Sequence, residues 1–234
     1  MPPVFEFQYK YGDRTIGPLL HMRKIEQKII FVAGLHGNER MPIKALKENG
    51  IPFILGNLRA AKKRTRFIKS DLNASFGLKG DSYEIKRAKK ILEKINDKDL
   101  VVDFHTTSAP TPPFAIVVDK KMIPFAARTG LKYAVFMKHN IKKRHALINY
   151  RDGISVEAGT HDSKKSYNIT LRTVKNILAG RKQSINIYEV FGKIVKPGRY
   201  VNFRKHSEGF IPILAGEKAY DFYGLKARRI LLNS

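Results

Sequence analysis

Residues 28–33 (KIIFVA) form a β-branched apolar run that stops at Gly34. A short run of this kind, bounded by glycine, reads as a buried strand. Residues 40–48 then carry a helical pattern that stops at Asn49-Gly50, a C-terminal glycine signal. The alternation continues along the chain. Strand-like runs at 52–58, 99–104, 114–118, 133–137 and 154–156 are interleaved with helical patterns at 82–96 and 166–179. Within 82–96, Ile85, Ala88, Ile91, Leu92 and Ile95 keep helical spacing behind an Asp81-Ser82 cap. Strands alternating with helices predict an α/β fold, with a mainly parallel or mixed central sheet and helices on both faces. After Gly180 the texture changes. Segments 185–195, 198–203 and 209–214 are strand-like, with glycine and proline turns and no convincing helix. The expected organisation is one domain over residues 1–182 and a small β-rich C-terminal domain over residues 183–234.

At 234 residues and 43% hydrophobic, the chain can bury a sizeable core. No segment approaches the roughly 18 uninterrupted apolar residues of a membrane helix. The N-terminus, MPPVFE, has neither the basic nor the apolar part of a signal peptide. The reading is a cytoplasmic protein with no membrane partner. Cysteine is absent, which excludes disulfides, thiolate metal sites and cysteine nucleophiles. A metal site must therefore draw on His, Asp and Glu. The formal charge of +25, from 45 Lys and Arg against 20 Asp and Glu, points to an anionic partner. The competing explanation is a Lys-rich surface habit, which ordinarily balances Lys with Glu and here does not. The basic residues are spread over 62–64, 142–144 and 181–182, with no basic tail and no RNA-binding signature. This favours an anionic small-molecule substrate over nucleic acid.

Three polar motifs follow strand-like runs, where open α/β sheets gather their sites. They are Gly34-Leu35-His36-Gly37-Asn38-Glu39, Asp103-Phe104-His105-Thr106-Thr107 and Ser155-Val156-Glu157-Ala158-Gly159. Catalytic zinc commonly takes two His and one carboxylate and leaves a fourth position for water. His36, Glu39 and His105 are candidates for such a set. A His-x-x-Glu pair alone is weak evidence, because a loop His and a first-turn Glu favoured by the helix dipole are common. A hydrolytic site also needs a base and a donor for the developing oxyanion. Glu157 suits the base, against an ordinary salt-bridged carboxylate. Arg66 suits the donor, against one more surface cation.

In this order and spacing the motifs resemble the succinylglutamate desuccinylase/aspartoacylase family, which shares the zinc carboxypeptidase fold. The resemblance rests on residues 34–39, Asn57, Arg66-Phe67-Ile68, Asp71-Leu72-Asn73, residues 103–107, residues 154–159 and Gly216-Glu217-Lys218-Ala219-Tyr220. It implies a zinc-dependent amidohydrolase cleaving a small N-acyl compound, with one Zn2+ per chain. It also implies His36, Glu39 and His105 as zinc ligands, Glu157 as general base and proton shuttle, and Arg66 as the group polarising the scissile carbonyl. Asn73 and Tyr220 become substrate contacts. The chain departs from the family at two places. The arginine that ordinarily follows the Asp-Leu-Asn motif is Ala74, and a second family arginine has no clear counterpart near Leu147. Lys143, Arg144 and Arg151 are the nearby cations that would have to replace them, and His161 is a candidate for the pocket wall. The alternatives are a carboxypeptidase-like peptidase, weakened by Ala74, and a basic nucleic-acid-binding protein with a vestigial metal site. Homo-oligomers are compatible with either.

Overall fold

The computed structural model describes residues 27–138 and 144–231. The signal-peptide reading, His21, His139, Lys142, Lys143 and residues 232–234 lie outside them. The chain order is β1 (Ile29–Ala33), α1 (Arg40–Glu48), β2 (Ile54–Leu55), α2 (Leu58–Lys63), α3 (Tyr83–Leu92), β3 (Leu100–Thr107) and β4 (Phe114–Val117). It continues with α4 (Ile123–Ala126), β5 (Tyr133–Phe136), β6 (Gly153–Thr160), α5 (Lys164–Leu178), β7 (Asn186–Ile194), β8 (Ile211–Ile213) and β9 (Gly224–Ile230). The described strands make one sheet of nine, in the order β2-β1-β3-β6-β4-β5-β7-β9-β8. It is mixed. β2, β1, β3 and β6 run parallel, β4 lies antiparallel to β6, and β9 lies antiparallel to β7 and β8.

Alternation along the strands sorts the residues onto two faces. One face carries Phe31, Ala33, Val102, Phe104, Val156 and Ala134, and it is apolar throughout. Leu46 of α1, Ile123 and Phe125 of α4, and Ile169 and Ile177 of α5 cover it. Each fully buried Phe or Leu there contributes roughly 1.5–3 kcal/mol. The opposite face is divided. At one end, Ala88 and Ile91 of α3 pack on Val32 and Val101, with Leu72, Phe76 and Leu147. At the other, Phe114, Val135 and Tyr188 are covered by Phe203, Ile213, Leu214 and Leu225. Between these two apolar clusters runs a polar stripe, Asp103 and His105 on β3 beside Ser155 and Glu157 on β6. The stripe cannot be closed by apolar packing, so the pocket falls there.

The helices start where the sequence places caps. Ser82 accepts from the amide of Ile85 (3.3 Å) and Asn57 from that of Ala60 (3.0 Å). The Asn57 cap turns Leu58 into the first residue of α2, which shortens the strand expected over 52–58. β3 and β6 run past the apolar runs that announced them, because their later inward residues face the pocket rather than a core. Residues 198–203 form no strand, and β9 carries one that its polar sequence, GLKARRI, does not announce. β7 pairs in parallel with β5, so the C-terminal strands extend the central sheet. Among the described residues, no helix is long and apolar enough to cross a membrane.

Candidate metal centre and active-site pocket

Gly34, with φ of 75°, turns the chain out of β1 towards α1. His36 and Glu39 follow, both buried. Gly37 lies between them, and a Cβ there would stand 2.1 Å from the backbone of Ala60. The loop can approach α2 only because this residue has no side chain. The amide of Gly37 also donates to the carbonyl of Arg66 (3.1 Å). On its other side, the Arg66 segment is held by Glu84 of α3, whose carboxylate accepts from the amides of Ile68 (2.9 Å) and Lys69 (3.3 Å). Burial would raise the Glu84 carboxyl, but these amides and Asn57 hold it below its usual range.

Both histidines turn Nδ1 towards Glu39. His36 Nδ1 lies 2.6 Å from Glu39 Oε1, and His105 Nδ1 lies 2.9 Å from Glu39 Oε2. Burial acts to raise the Glu39 carboxyl, but the two imidazoles hold it well below the carboxylate range. The second ring nitrogens also meet carboxylates. His36 Nε2 lies 3.0 Å from Asp71, and His105 Nε2 lies 2.6 Å from Asp103, which also accepts from Ser155 (3.3 Å). Burial lowers His105, yet Asp103 and Glu39 push it well above its ordinary value. One ligand atom from each of His36, Glu39 and His105 lies within 4.8 Å of the others. Two imidazoles oriented by outer carboxylates, with a third carboxylate between them, are a donor set that fits zinc.

Arg66 reaches from its loop to Asp71 (3.3 Å) and towards Glu39 (3.8 Å). Asn73 is buried, its amide nitrogen 3.4 Å from His105 Nε2 and its oxygen accepting from the amide of Leu147 (3.2 Å). Glu157 is half-buried, and its Oε2 is buried without a hydrogen-bond partner. Burial is the main cause that pushes its carboxyl up to about 7; Glu39 and Glu217 add to it, while His105 and His36 oppose it. Tyr220 lies in a turn of the C-terminal segment, stacked on Phe222 at 4.8 Å. Burial, then the charges of Glu157 and Glu217, push its phenol well above its ordinary value. His36, Glu39, Arg66, Asn73, His105, Glu157 and Tyr220 all line one pocket.

Three carboxylates whose sequence motifs do not reveal their contacts hold the pocket residues in place: Asp71, Asp103 and Glu217. Asp103 precedes His105 by two residues in a strand, which puts both on one face. Asp71 joins His36 to Arg66. Glu217 accepts from the hydroxyl of Thr107 and the amide of Ser108 (2.8 Å), and so clips the C-terminal segment to the end of β3. Burial acts to raise the Glu217 carboxyl, but these donors hold it below its usual range. The suggested arginine replacement does not form at Arg151. Its guanidinium is spent on the carbonyls of Leu92, Ile95 and Tyr150 and on Asp97. Leu147 is fully buried in an apolar cluster. His161 does not line the pocket; it contacts the hydroxyl of Thr106 (2.7 Å).

The architecture is that of solved deacylase structures. Succinylglutamate desuccinylase from Chromobacterium violaceum matches with a TM-score of 0.64 at 15% identity, covering 89% of this chain and 86% of that one. Murine aminoacylase 3 matches with a TM-score of 0.65 at 16% identity, covering 89% and 97%. The family described as the succinylglutamate desuccinylase/aspartoacylase catalytic domain matches over residues 25–181, and the chain belongs to that family. A probable aspartoacylase from Prochlorococcus marinus subsp. pastoris is 30% identical over 125 residues, 46% of this chain. That match spans 42% of the relative's own length.

Proposed function

We propose that this chain is a zinc-dependent amidohydrolase, a deacylase cleaving the amide bond of a small N-acyl amino acid or related compound. The observation that carries the reading is the convergence of His36, Glu39 and His105 in the pocket that Glu157, Arg66, Asn73 and Tyr220 also line. His36, Glu39 and His105 would hold one zinc ion per chain. When bound, zinc lowers the pKa of water and polarises the scissile carbonyl.

The other residues supply positioning and proton transfer. Glu157 takes a proton from the attacking water and passes it to the leaving amine. A carboxyl raised to about 7 is poised to do both near neutrality. The Arg66 guanidinium, steadied by Asp71, faces the negative charge that develops on the carbonyl oxygen. The Asn73 amide and the Tyr220 phenol, which stays protonated, hold the substrate. Residues 1–182 then form the catalytic domain and residues 183–234 a β-rich unit that closes the pocket. The end of the family match at residue 181 supports that boundary.

Elemental analysis tests the metal. The purified protein should carry about one zinc per chain and His36→Ala should lose it. Glu157→Gln should keep the metal and lose turnover of N-acyl amino acids by roughly 100- to 10,000-fold. A chain that takes up no zinc on reconstitution, or a fully active Glu157→Gln, sinks the reading.

A further inference from the structure

The pocket has two unlike halves. The half over β1 and β3 holds the histidines, Glu39, Arg66 and Asn73. On the β4–β5 side the pocket is walled by Ile116, Met137 and Leu214, while Ala146 and Ile148 line it next to Leu147, whose amide donates to Asn73. Ile116 stands opposite Ser155 across the β4–β6 pairing, two pairs along from Phe114 opposite Glu157 and on the same face, so this wall starts beside the carboxylate. Met137 and Leu214 belong to the same buried cluster as Phe114 and Val135. That backing makes the wall part of a packed core, which resists rearrangement around a charged guest. Among the described residues, Arg66 is the one Lys or Arg lining the pocket, and it is already engaged by Asp71 and Glu39. Glu157 and Glu217 face the same space.

We propose that the substrate group seated in this second half is uncharged and apolar. It is an aliphatic or aromatic side chain, or a hydrocarbon acyl chain, in place of a second carboxylate. The proposal rests on the deacylase reading of the site. A carboxylate placed against the wall would lose its hydration and find no cation among the described residues that line it, whereas a hydrocarbon group would replace water at an apolar surface. The chain's charge of +25 draws an anionic compound towards the pocket but supplies no partner among the described residues of this wall.

The test compares N-acetyl-L-leucine, N-acetyl-L-phenylalanine and N-hexanoylglycine with N-acetyl-L-aspartate and N-succinyl-L-glutamate on the zinc-loaded full chain. At least one apolar compound should exceed both acidic ones in kcat/KM by roughly tenfold or more. The leucine and phenylalanine compounds place the apolar group on the amine side, and the hexanoyl compound on the acyl side. Ile116→Ala should shift the preference towards the larger apolar group, and Ile116→Arg should raise the acidic compounds relative to the apolar ones. Calorimetric binding to Glu157→Gln gives a second readout that needs no turnover, and it should follow the same order. Preferred turnover of the acidic compounds overturns the inference and leaves the deacylase reading intact, and their preferred binding without turnover overturns both. Tighter apolar binding without turnover by the unaltered chain supports the inference and breaks the deacylase reading.

Discussion

Glu157 is a carboxyl in a place that disfavours its charge. Burial first, then Glu39 and Glu217, raise it from 4.5 to about 7, against the pull of His105 and His36. Below the unfolded value the group is protonated in both states and costs nothing. As pH climbs through 4.5 towards 7, the unfolded chain ionises first, and stability is lost up to about 3 kcal/mol. Metal-free Glu157→Gln should therefore gain stability over the unaltered metal-free chain at pH 8 but hardly at pH 4. Denaturant unfolding at the two pH values checks this, and a pH-independent difference would contradict it. Asp103 is the other residue with a clear expectation. It fixes the outer nitrogen of His105 at 2.6 Å. Asp103→Asn should weaken zinc affinity about 10- to 100-fold, read by competition with a chromophoric chelator. Unchanged affinity would remove Asp103 from the metal site.

At the scale of elements, the site is assembled by two kinds of contact. The inward residues of β3 and β6 bring Asp103, His105, Ser155 and Glu157 side by side with no long-range adjustment, because neighbouring parallel strands are in register. The β1–α1 loop and the Arg66 segment instead depend on close backbone approach at Gly37. A methyl group there meets the Ala60 backbone, which cannot swing aside like a flexible side chain. Gly37→Ala should cost about 2–4 kcal/mol in the unfolding of the metal-free protein. A cost near zero would mean that α2 moves freely against this loop.

The whole molecule carries a formal net charge of +25, and its surface ion pairs, such as Lys44 with Glu48 and Lys86 with Asp81, are each neutral and leave that excess untouched. Self-repulsion of that kind is relieved by salt. Raising ionic strength from about 0.02 to 0.5 M should raise Tm by about 2–6 °C, measured by calorimetry in sodium chloride. A falling Tm would show that surface ion pairs outweigh the repulsion. The sheet also shows why the C-terminal segment matters to the pocket. Leu214, Glu217 and Tyr220 all line it, and β7 joins the segment to β5 as a further strand of the same sheet.

Most strands and helices up to residue 179 were legible in the amino-acid order, because apolar period and glycine or cap residues are local signals. The placing of His36, Glu39 and His105 was legible too, since each falls in or just after a strand that the apolar pattern announces. The continuation of β3 and β6 beyond their apolar runs was not, because a polar residue in a strand looks like a strand end unless the pocket opposite is known. β9 was hidden for a related reason. Its alternate polar residues face solvent, while Leu225 and Ala227 pack into a cluster assembled from distant parts of the chain. The same holds for the contacts of Asp71, Asp103 and Glu217, and for the apolar wall of Ile116, Met137 and Leu214. Each depends on which side chains meet across strands and loops far apart in sequence, and tertiary packing alone brings them together.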